Sequence, residues 1–328
     1  MSAMIDPFGR QHVYLRLALT HQCNLNCTYC RPSGCGTVTT GPILPSGSIL
    51  RLVRIFAALG ICKVRLTGGE PTLRPGLLDL VSKIAAVEGI GTLALTTNGV
   101  TLGGLAAPLR RAGVENLNVS LDSLRRERFL KITGRDLLPA VLKGISAALE
   151  AGFEPLKLNT VVMGGVNDDE LLEFVELARS RPVNIRFIEY MPFRENGWSR
   201  EGFVSHERMR ERIERVHRLV PVGQGEHTGG VAKDFSVEGF RGQISFITPL
   251  SDVFCDRCNR LRVTADGKLK TCLFAPAGLD LAKALAREAS DDAVARLIVD
   301  ALASKPEKHP EAEDLRAGQD LPMNEIGG

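Results

Sequence analysis

Three cysteines in the string CNLNCTYC have the spacing that points most directly to chemistry. Cys23, Cys27 and Cys30 are separated by three and then by two residues. One short loop can therefore present three thiolates to three irons of a cubane cluster. Clusters that only carry electrons normally have four cysteine ligands. A trio thus predicts an iron-sulfur cluster with one iron open to a small-molecule chelator.

A second cysteine trio lies in CDRCNRLRVTADGKLKTC and consists of Cys255, Cys258 and Cys272. Again there are three cysteines and no obvious fourth, so we expect a second incomplete cluster site. Two of the eight cysteines are then left over. Cys35 is close enough in sequence to complete the first site, and the spacing leaves that alternative open. Cys62 comes just before an apolar run, and we expect it to be a small core residue.

Zinc and disulfides are the other readings of these cysteines. Zinc sites usually combine a cysteine pair with a second cysteine pair or a histidine pair, and His21 is the only nearby histidine. Disulfides persist mainly outside the cytosol, and the chain begins MSAMIDPFGRQH, without a basic and then apolar signal sequence. We therefore favour iron-sulfur sites in an oxygen-sensitive cytoplasmic protein.

Size and charge exclude several function classes. The chain has 328 residues with 44% hydrophobic content, which is enough for a substantial core. Its 41 basic and 38 acidic residues give a net charge of +3, too small for nonspecific nucleic-acid binding. No apolar run approaches the roughly 20 residues that span a bilayer. We expect neither a nucleic-acid partner nor a membrane segment.

Alternating strand and helix patterns fill the first two thirds of the chain, which indicates parallel strands with helical crossovers. No GxGxxG loop follows the first strand, so an incomplete (β/α) TIM-type barrel is favoured over a doubly wound sheet. Helices are predicted at Pro45–Leu59, Leu77–Val87, Asp136–Ala151 and Asp169–Arg179, with Gly60 ending the first of them. The predicted strands are Val13–Leu19, Lys63–Thr67, Thr92–Thr97, Asn116–Ser120, Leu156–Val162 and Asn184–Glu189.

The alternation stops near residue 215, after a last helix predicted at His206–Val216. We therefore expect a barrel domain over residues 1–215 and a C-terminal iron-sulfur module over 216–328. Short strands are predicted in that module at Gln243–Ile247 and Leu261–Thr264. Residues 303–321 are rich in charge and are expected to be extended and solvated.

Seven basic residues interrupt the predicted strands, where burial is costly unless an anion meets the charge. In a barrel they must face the lumen, because helices cover the outside. Lumen carboxylates such as Glu70, Asp122 or Glu189 could pair with single members, but three acids cannot neutralise seven bases. We therefore expect a polyanionic substrate, most simply a triphosphate or diphosphate. The seven are Arg16, Lys63, Arg65, Lys157, Arg186, Arg260 and Arg262.

Two glycine motifs follow predicted strands. TGGEP spans Thr67–Pro71 and TTNG spans Thr96–Gly99. Glycine lets a backbone approach a ligand closely, and barrel active sites form where strands end. An ordinary turn is the alternative at each position.

The motifs together resemble the radical S-adenosylmethionine (SAM) superfamily. CNLNCTYC, RLTGGEP, TTNG, VSLD and RFIEYM occur in that superfamily's order. The second trio with CNRLR, together with the terminal Gly327–Gly328, is similar to the GTP 3′,8-cyclase family of molybdenum cofactor biosynthesis. The resemblance covers nearly the whole chain.

The resemblance implies a role for each trio. The amino and carboxylate groups of SAM would chelate the open iron of the first [4Fe-4S] cluster, and SAM cleavage would yield a 5′-deoxyadenosyl radical. The second [4Fe-4S] cluster would bind the guanine of GTP. Hydrogen abstraction from ribose C3′, attack of that carbon radical on guanine C8, and a final reduction and proton transfer would then give 3′,8-cyclo-7,8-dihydro-GTP. The implied SAM pocket contains Tyr29, Gly69, Glu70, Ser120 and Met191.

The resemblance also assigns residues to GTP and to catalysis. Nucleotide contacts are implied for Arg16, Lys63, Arg65, Thr96, Lys157, Arg186, Arg260, Leu261 and Arg262. A catalytic role is implied for Arg16, Lys157, Arg260 and Arg262, and for Gly327 and Gly328, whose tail would enter the active site.

The implied partners are an electron donor protein, a second copy of the chain in a homodimer, and a cyclic pyranopterin monophosphate synthase that receives the product. Two rival functions stay open at this stage. One is a radical enzyme that modifies a peptide, although its auxiliary modules usually carry more cysteines. The other is a noncatalytic zinc module.

Overall fold

The computed structural model of the protein describes residues 4–30, 41–193, 196–223, 231–318 and 323–326. Within these ranges eleven strands form one sheet, in the order β11-β10-β1-β2-β3-β4-β5-β6-β9-β8-β7. The strands are β1 (Tyr14–Ala18), β2 (Lys63–Thr67), β3 (Thr92–Thr97), β4 (Asn116–Ser120), β5 (Leu156–Val162), β6 (Val183–Glu189), β7 (Leu219–Pro221), β8 (Ala232–Val237), β9 (Gln243–Ile247), β10 (Arg260–Val263) and β11 (Leu269–Lys270).

Strands β1 to β6 run parallel and lie side by side in chain order. Strand β10 adds in parallel beside β1, and β9 adds in parallel beside β6. Strands β11 and β7 are the two ends of the order, so the barrel does not close. The α/β fold with an incomplete TIM-type barrel is therefore confirmed. All six strands predicted for the first two thirds are present, with bounds that differ by a residue at most.

The helices pack outside the sheet and cover its apolar face. In the first helix, Ile49, Leu52, Val53 and Phe56 form one buried stripe at helical spacing. Gly60 follows its C-cap with a φ of +97°, which confirms the predicted helix end. The helices are α1 (Ser46–Ala58), α2 (Leu77–Ala85), α3 (Leu102–Arg111), α4 (Arg126–Thr133), α5 (Leu138–Glu150), α6 (Leu171–Ser180), α7 (His206–Glu214), α8 (Leu281–Ala286), α9 (Asp291–Leu302), α10 (Ala312–Gly318) and α11 (Met323–Ile326).

Helix α3 has no predicted bounds in the sequence because its composition is a poor signal. It contains Gly103, Gly104 and Pro108, all of which lower intrinsic helix propensity. Leu102, Ala106 and Leu109 are nevertheless buried, and α3 packs closely on α5. Tertiary packing therefore overrides propensity in this segment.

The lumen face of each strand is polar. In β5, buried Leu156, Leu158 and Thr160 alternate with half-buried Lys157 and Asn159. This period of two separates a face that packs on the helices from a face that lines the lumen. The alternation places the strand cations inside the barrel, as predicted.

The C-terminal part joins the sheet at both edges. Strands β7, β8 and β9 extend it beyond β6, whereas β10 and β11 extend it beyond β1. The two parts of the chain therefore share one sheet. The division at residue 215 stays a prediction.

The expectation that residues 303–321 lack regular structure was wrong, although most of the described side chains over 303–315 are exposed. Helix α10 lies within that range, Lys305 is 4% exposed and Leu315 is 2% exposed. Leu315 packs in a cluster with Phe193, Phe274 and Ile326. The apolar residues here are too few and too far apart to show a period, so the sequence pattern missed them.

Helices in the described ranges are all too short or too polar to cross a membrane.

Candidate active site

The barrel lumen holds a cavity of about 800 Å³. The first cysteine trio follows the C-terminal end of β1. The second trio lies at the opposite end, because Cys258 precedes β10, which runs parallel to β1, and Cys272 follows β11, which runs back. Both trios and all seven predicted cations line this one cavity: Cys23, Cys27, Cys30, Cys255, Cys258, Cys272, Arg16, Lys63, Arg65, Lys157, Arg186, Arg260 and Arg262.

Strand register stacks the cations in levels. Arg16 of β1 is paired with Arg65 of β2 on one side and with Arg262 of β10 on the other. One step lower, Tyr14 lies between Lys63 and Arg260. Alternation along each strand sends these side chains to the same face.

Hydroxyl and amide oxygens contact these cations. Arg65 donates from Nε to the Tyr14 hydroxyl at 2.5 Å and from Nη1 to Thr96 Oγ1 at 3.2 Å. Lys157 Nζ donates to Asn116 Oδ1 at 3.2 Å. The contacts with Thr96 and Asn116 satisfy N–H groups without cancelling the positive charge.

The pKa values show how much positive charge is concentrated here. Burial and the charges of Arg186 and Arg65 lower the pKa of Lys157 to about 8. Burial also lowers the pKa of Arg186 to about 10, against the favourable field of Asp234. Burial alone would raise the pKa of Tyr14, but Arg65 and Arg16 lower it to about 7. A bound polyanion would relieve this mutual repulsion.

The three carboxylates proposed as alternative partners of the cations have other partners. Asp122 accepts from Val161 N at 2.9 Å and from the Tyr29 hydroxyl at 2.8 Å. Glu189 accepts from the backbone N–H groups of His206, Leu250 and Ser251, each at 3.0 Å.

Glu70 is 1% exposed, and it ties the two glycine motifs together. Its Oε1 accepts from Thr72 N, Thr72 Oγ1 and Thr97 Oγ1 at 3.1, 2.6 and 2.7 Å. Its Oε2 accepts from Asn98 N at 2.7 Å. Burial raises the pKa of this carboxyl. The expected contact between Glu70 and the amino group of SAM stays a prediction.

The TGGEP turn packs against the segment that leads into the first trio. Gly69 N donates to Thr20 O at 2.7 Å, and Glu70 N donates to Gln22 O at 2.6 Å. A Cβ on Gly69 would lie 2.2 Å from the Gln22 carbonyl oxygen. Only glycine lets this turn approach the segment that leads into Cys23. Backbone packing therefore explains the glycine here, and the close approach of this motif to a ligand stays a prediction.

The loop that carries the first trio is held from the outside by helix α4. Asn26 N donates to Thr133 O at 2.8 Å, and Thr28 N donates to Ile132 O at 2.9 Å. Within the loop, Cys30 N donates to Cys27 O at 3.0 Å. These backbone contacts fix the loop independently of any cofactor.

An acidic group adjoins the first trio. Burial raises the pKa of the Cys27 thiol well above its usual range, and Asp122 and the other two cysteines of the trio act in the same direction. Burial likewise raises the pKa of Asp122 to about 6. Burial and these negative neighbours therefore oppose a thiolate here, and bound metal would be required to stabilise it.

Basic groups surround the second trio. Burial raises the pKa of Cys258, but Arg260 and Lys305 outweigh burial and lower it to about 7. A 3₁₀ turn over Cys255–Arg257 and the β10-β11 pair bring the three cysteines to one end of the cavity. Cys272 packs at the edge of the Phe193 and Phe274 cluster.

The donor sets fit iron-sulfur clusters. Among the described residues, no group of three or more His, Cys, Asp or Glu side chains converges on a single metal ion. A cubane needs a wider arrangement, because each thiolate binds a different iron. The six thiols are half-buried and share one cavity. A glycine turn packs beside one trio, and cations lie beside the other. This arrangement is suitable for such clusters.

Most predicted ligand residues line the cavity. Leu261 does not: its side chain is 1% exposed in the core on the other face of β10, which leaves only its backbone for a ligand. Gly327, Gly328 and Cys35 lie outside the described residues. The predicted SAM and GTP residues that line the cavity, besides the seven cations, are Tyr29, Gly69, Glu70, Thr96, Ser120 and Met191.

Cys62 is exposed and faces the cavity, so the expectation of a core residue was wrong. It precedes β2, and its Sγ lies 3.9 Å from Val13 O. The apolar run begins only after Lys63, and the strand's alternation carries its apolar side chains to the other face.

Sequence reasoning also missed polar residues of the lumen. Tyr14 lies among the cations, and Asn118 and Asn159 line the same cavity as the register partners of Lys157 and Arg186. In the described part of the chain, the buried Oδ1 atoms of Asn118 and Asn159 have no hydrogen-bond partner. Their alternation with apolar neighbours in β4 and β5 was the available signal.

Two families match adjacent parts of the chain. The Radical SAM superfamily matches residues 17–178, and the family described as Molybdenum Cofactor Synthesis C matches residues 183–311. Over 327 residues the chain is 44% identical to the GTP 3′,8-cyclase of Moorella thermoacetica, which covers 99% of this chain and 100% of that protein. The chain belongs to the GTP 3′,8-cyclase family. The resemblance found in the sequence is thereby confirmed, and neither rival reading gains support.

Other relatives agree with this membership. The mitochondrial GTP 3′,8-cyclase of Arabidopsis thaliana is 40% identical over 99% of this chain and 83% of its own length. The molybdenum cofactor biosynthesis protein 1 of Mus musculus is 43% identical over 99% of this chain, but the chain spans only 51% of that protein.

A solved structure supports the fold alone. The SAM-bound structure of SuiB from Streptococcus suis superposes with a TM-score of 0.55 at 14% identity, over 80% of this chain and 58% of that chain. Membership in a radical SAM family implies one [4Fe-4S] cluster and SAM as cofactors of this chain.

Proposed function

We propose that this protein converts GTP into 3′,8-cyclo-7,8-dihydro-GTP, the first step of molybdenum cofactor biosynthesis. The carrying observation is the single cavity in which seven cations from five strands lie between two cysteine trios. Membership in the GTP 3′,8-cyclase family supports the same reaction. The proposal assigns SAM to the first trio and GTP to the cations and the second trio.

The cations bind the triphosphate. GTP brings about four negative charges at neutral pH, and charge-assisted hydrogen bonds from arginine are among the strongest in proteins. Arg16, Arg65 and Arg262 lie at one level of a wall formed by β10, β1 and β2, and Lys157 and Arg186 approach from β5 and β6. This arrangement holds a chain of phosphates along several strands and excludes neutral substrates.

The trio at the far end binds guanine. Cys255, Cys258 and Cys272 would hold a second [4Fe-4S] cluster whose fourth iron lacks a cysteine ligand. The free Oδ1 atoms of Asn118 and Asn159 can accept from hydroxyl or N–H groups of a ligand. Polar groups at fixed positions on rigid strands orient the ligand in the lumen.

The first trio supplies the radical chemistry. When bound there, a reduced cluster and SAM would supply a 5′-deoxyadenosyl radical, which would take a hydrogen atom from ribose C3′ and become 5′-deoxyadenosine. The protein keeps that step productive by fixing the distance from Tyr29, Ser120 and Met191 to the phosphate-binding wall. A ribose held too far away would leave the radical to react elsewhere, so binding residues also act on rate.

Further predictions extend this proposal. An electron donor protein must supply electrons to the first cluster. The product then passes to a cyclic pyranopterin monophosphate synthase. A homodimer, a cytoplasmic location and insertion of the Gly327–Gly328 tail into the active site stay predictions. Arg16, Lys157, Arg260 and Arg262 are the residues we propose to act in catalysis through their hold on GTP.

An anaerobic assay tests the proposal. The reconstituted chain should contain about eight irons and eight sulfides, the content of two cubane clusters. Incubated under reducing conditions with SAM and one nucleoside triphosphate at a time, it should form 5′-deoxyadenosine together with the cyclised nucleotide only with GTP. Zinc without sulfide, or equal turnover with ATP, would contradict the proposal. Cys62→Ala removes a cavity thiol outside both trios. This control variant should therefore form both products as the parent chain does.

A further inference from the structure

Two buried basic residues outside the catalytic wall contact the loops that carry the second trio. Arg10 is 8% exposed and Lys305 is 4% exposed. They come from opposite ends of the chain, and they are not among the residues assigned above to GTP or SAM. Buried cations are costly, so each is expected to have a specific role.

Arg10 joins three distant segments. Its Nη1 donates to Cys255 O and to Glu307 O, both at 2.7 Å, and its Nη2 donates to Pro306 O at 2.8 Å. Its Nε donates to Asp6 Oδ2 at 2.5 Å. The carboxylate of Asp6 offsets the charge of Arg10 and fixes its orientation. The guanidinium therefore acts mainly as a brace, that is, as a hydrogen-bonding link that holds the Cys255 loop against residues 306 and 307.

Lys305 holds the other side of the trio. Its Nζ donates to Arg260 O at 3.2 Å and also donates to Thr271 O. Arg260 follows Cys258 by two residues, and Thr271 directly precedes Cys272, so one ammonium group joins the loops of two cysteines. Burial lowers the pKa of Lys305, and Arg10 and Arg260 act in the same direction, whereas Cys258 and Cys272 favour its charged form. Because its Nζ is hydrogen-bonded to the backbone next to Cys272 and two residues after Cys258, a positive charge here lies beside both thiols.

We propose that Arg10 and Lys305 are positioning residues of the second cluster: Arg10 fixes the Cys255 loop, and Lys305 places a positive charge beside Cys258 and Cys272 that raises the reduction potential of the cluster. This inference rests on the proposed second cluster. Nearby charge and hydrogen bonding are known determinants of cluster potential. A positive charge favours the reduced form, which carries one more electron.

The experiment isolates the second cluster in the full chain. A background in which Cys23, Cys27 and Cys30 are all replaced by Ala should retain about four irons per chain. A redox titration with dithionite, followed by electron paramagnetic resonance, then reports one midpoint potential. If this background takes up no iron-sulfur cluster, the proposed function fails. If it takes up a cluster, the inference is tested separately.

Charge and hydrogen bonding are separated at Lys305. Lys305→Gln keeps amide donors but removes the charge, and we expect a more negative midpoint potential. Lys305→Arg keeps the charge and should restore a value near that of the background. Lys83→Gln removes an exposed lysine of α2 and should change nothing. An unchanged potential in Lys305→Gln, or loss of the cluster in both Lys305 variants, would overturn the charge role.

Arg10→Lys tests the brace. Lysine keeps the charge but cannot donate to Asp6 and three carbonyls together, so we expect a severalfold faster loss of iron to a chelator, with the midpoint potential nearly unchanged. The matched control is Arg54→Lys, an exposed position on α1. Iron loss at the background rate in Arg10→Lys would overturn the brace.

Discussion

The two cysteine trios have the same three thiols but opposite surroundings. Asp122 and the Tyr29 phenol adjoin Cys27 at one end of the cavity. Arg260 and Lys305 adjoin Cys258 at the other end. Burial and negative charge oppose a thiolate at Cys27, whereas positive charge favours it at Cys258; at Cys255 of the second trio, burial raises the pKa. Spacing alone could not distinguish the sites, but charge does.

The surroundings also differ in how each loop is held. Backbone contacts from α4 and a tight glycine turn hold the first loop. Side chains of Arg10 and Lys305 hold the second, and they come from segments distant in sequence. The contacts named for the first site therefore come from barrel segments between residues 68 and 133, whereas those of the second come from residues near both ends of the chain. This difference matches a general cofactor site beside a family-specific substrate site.

Replacing one cysteine in each trio gives the largest expected contrast. Cys27→Ala removes a ligand of the radical-generating site and should abolish 5′-deoxyadenosine formation. Cys258→Ala should abolish the cyclised nucleotide but leave slow, GTP-independent cleavage of SAM. Chromatography of both products separates the two outcomes. Undiminished 5′-deoxyadenosine from Cys27→Ala would refute the assignment of the first trio.

Arg262→Ala should sharpen the contrast through binding. Arg262 lies deep in the cation wall, and the loss of charged hydrogen bonds of about 1.5–3 kcal/mol predicts roughly 10- to 150-fold weaker GTP binding. SAM binding should remain within about twofold. Equilibrium dialysis with each ligand measures both. Equal loss of the two affinities would show that Arg262 supports the fold instead, and Arg54→Ala on α1 is the matched surface control.

The sequence was sufficient for the barrel and for most of the site. Period-two alternation around Lys63, Arg65 and Lys157 revealed strands with one polar face, and those cations do line the cavity. Local patterns of this kind survive folding because the strand geometry imposes them. The two trios were equally visible, since their ligands are close in sequence.

Contacts between distant segments could not be predicted. Arg10 reaches Cys255 and Glu307 across most of the chain, and no periodic pattern records such a meeting. Leu315 is one apolar residue in a charged segment, so its burial depends entirely on Phe193 and Phe274. The wrong prediction for Cys62 has a local cause. The apolar run beside it suggested that Cys62 belongs to the core, but that core lies on the other face of the strand.

The pH dependence of GTP binding should distinguish the cationic end from the SAM end. With a pKa of about 8, Lys157 loses its proton as the pH rises to 9, and Tyr14, with a pKa of about 7, becomes negative over the same range. Both changes oppose a bound triphosphate. GTP affinity should therefore fall by about tenfold or more between pH 7 and pH 9.

Variants identify the groups responsible. Lys157→Arg should remove the part of the dependence near pH 8, and Tyr14→Phe should remove the part near pH 7. Calorimetry of the parent chain in buffers of different ionisation enthalpy should show proton uptake on GTP binding at pH 8. A GTP affinity that is constant from pH 7 to 9 would contradict the assigned charges. SAM binding serves as the internal reference, because neither group lies in its predicted pocket.

The smallest effect is expected from the packing of the C-terminal segment. Leu315→Ala removes a fully buried side chain from the cluster with Phe193 and Phe274, beside Cys272. A buried Leu→Ala change costs about 2–5 kcal/mol when the whole fold bears it, but here the segment can open locally and limit the loss. Hydrogen exchange should quicken over residues 305–318 and stay unchanged in the loop of the first trio. Leu130→Ala, at an exposed position on α4, is the control. Faster exchange both over residues 305–318 and in the loop of the first trio would mean that the two sites are held by one cooperative unit, which would remove the distinction between a site held by barrel segments and a site held by residues near both ends of the chain.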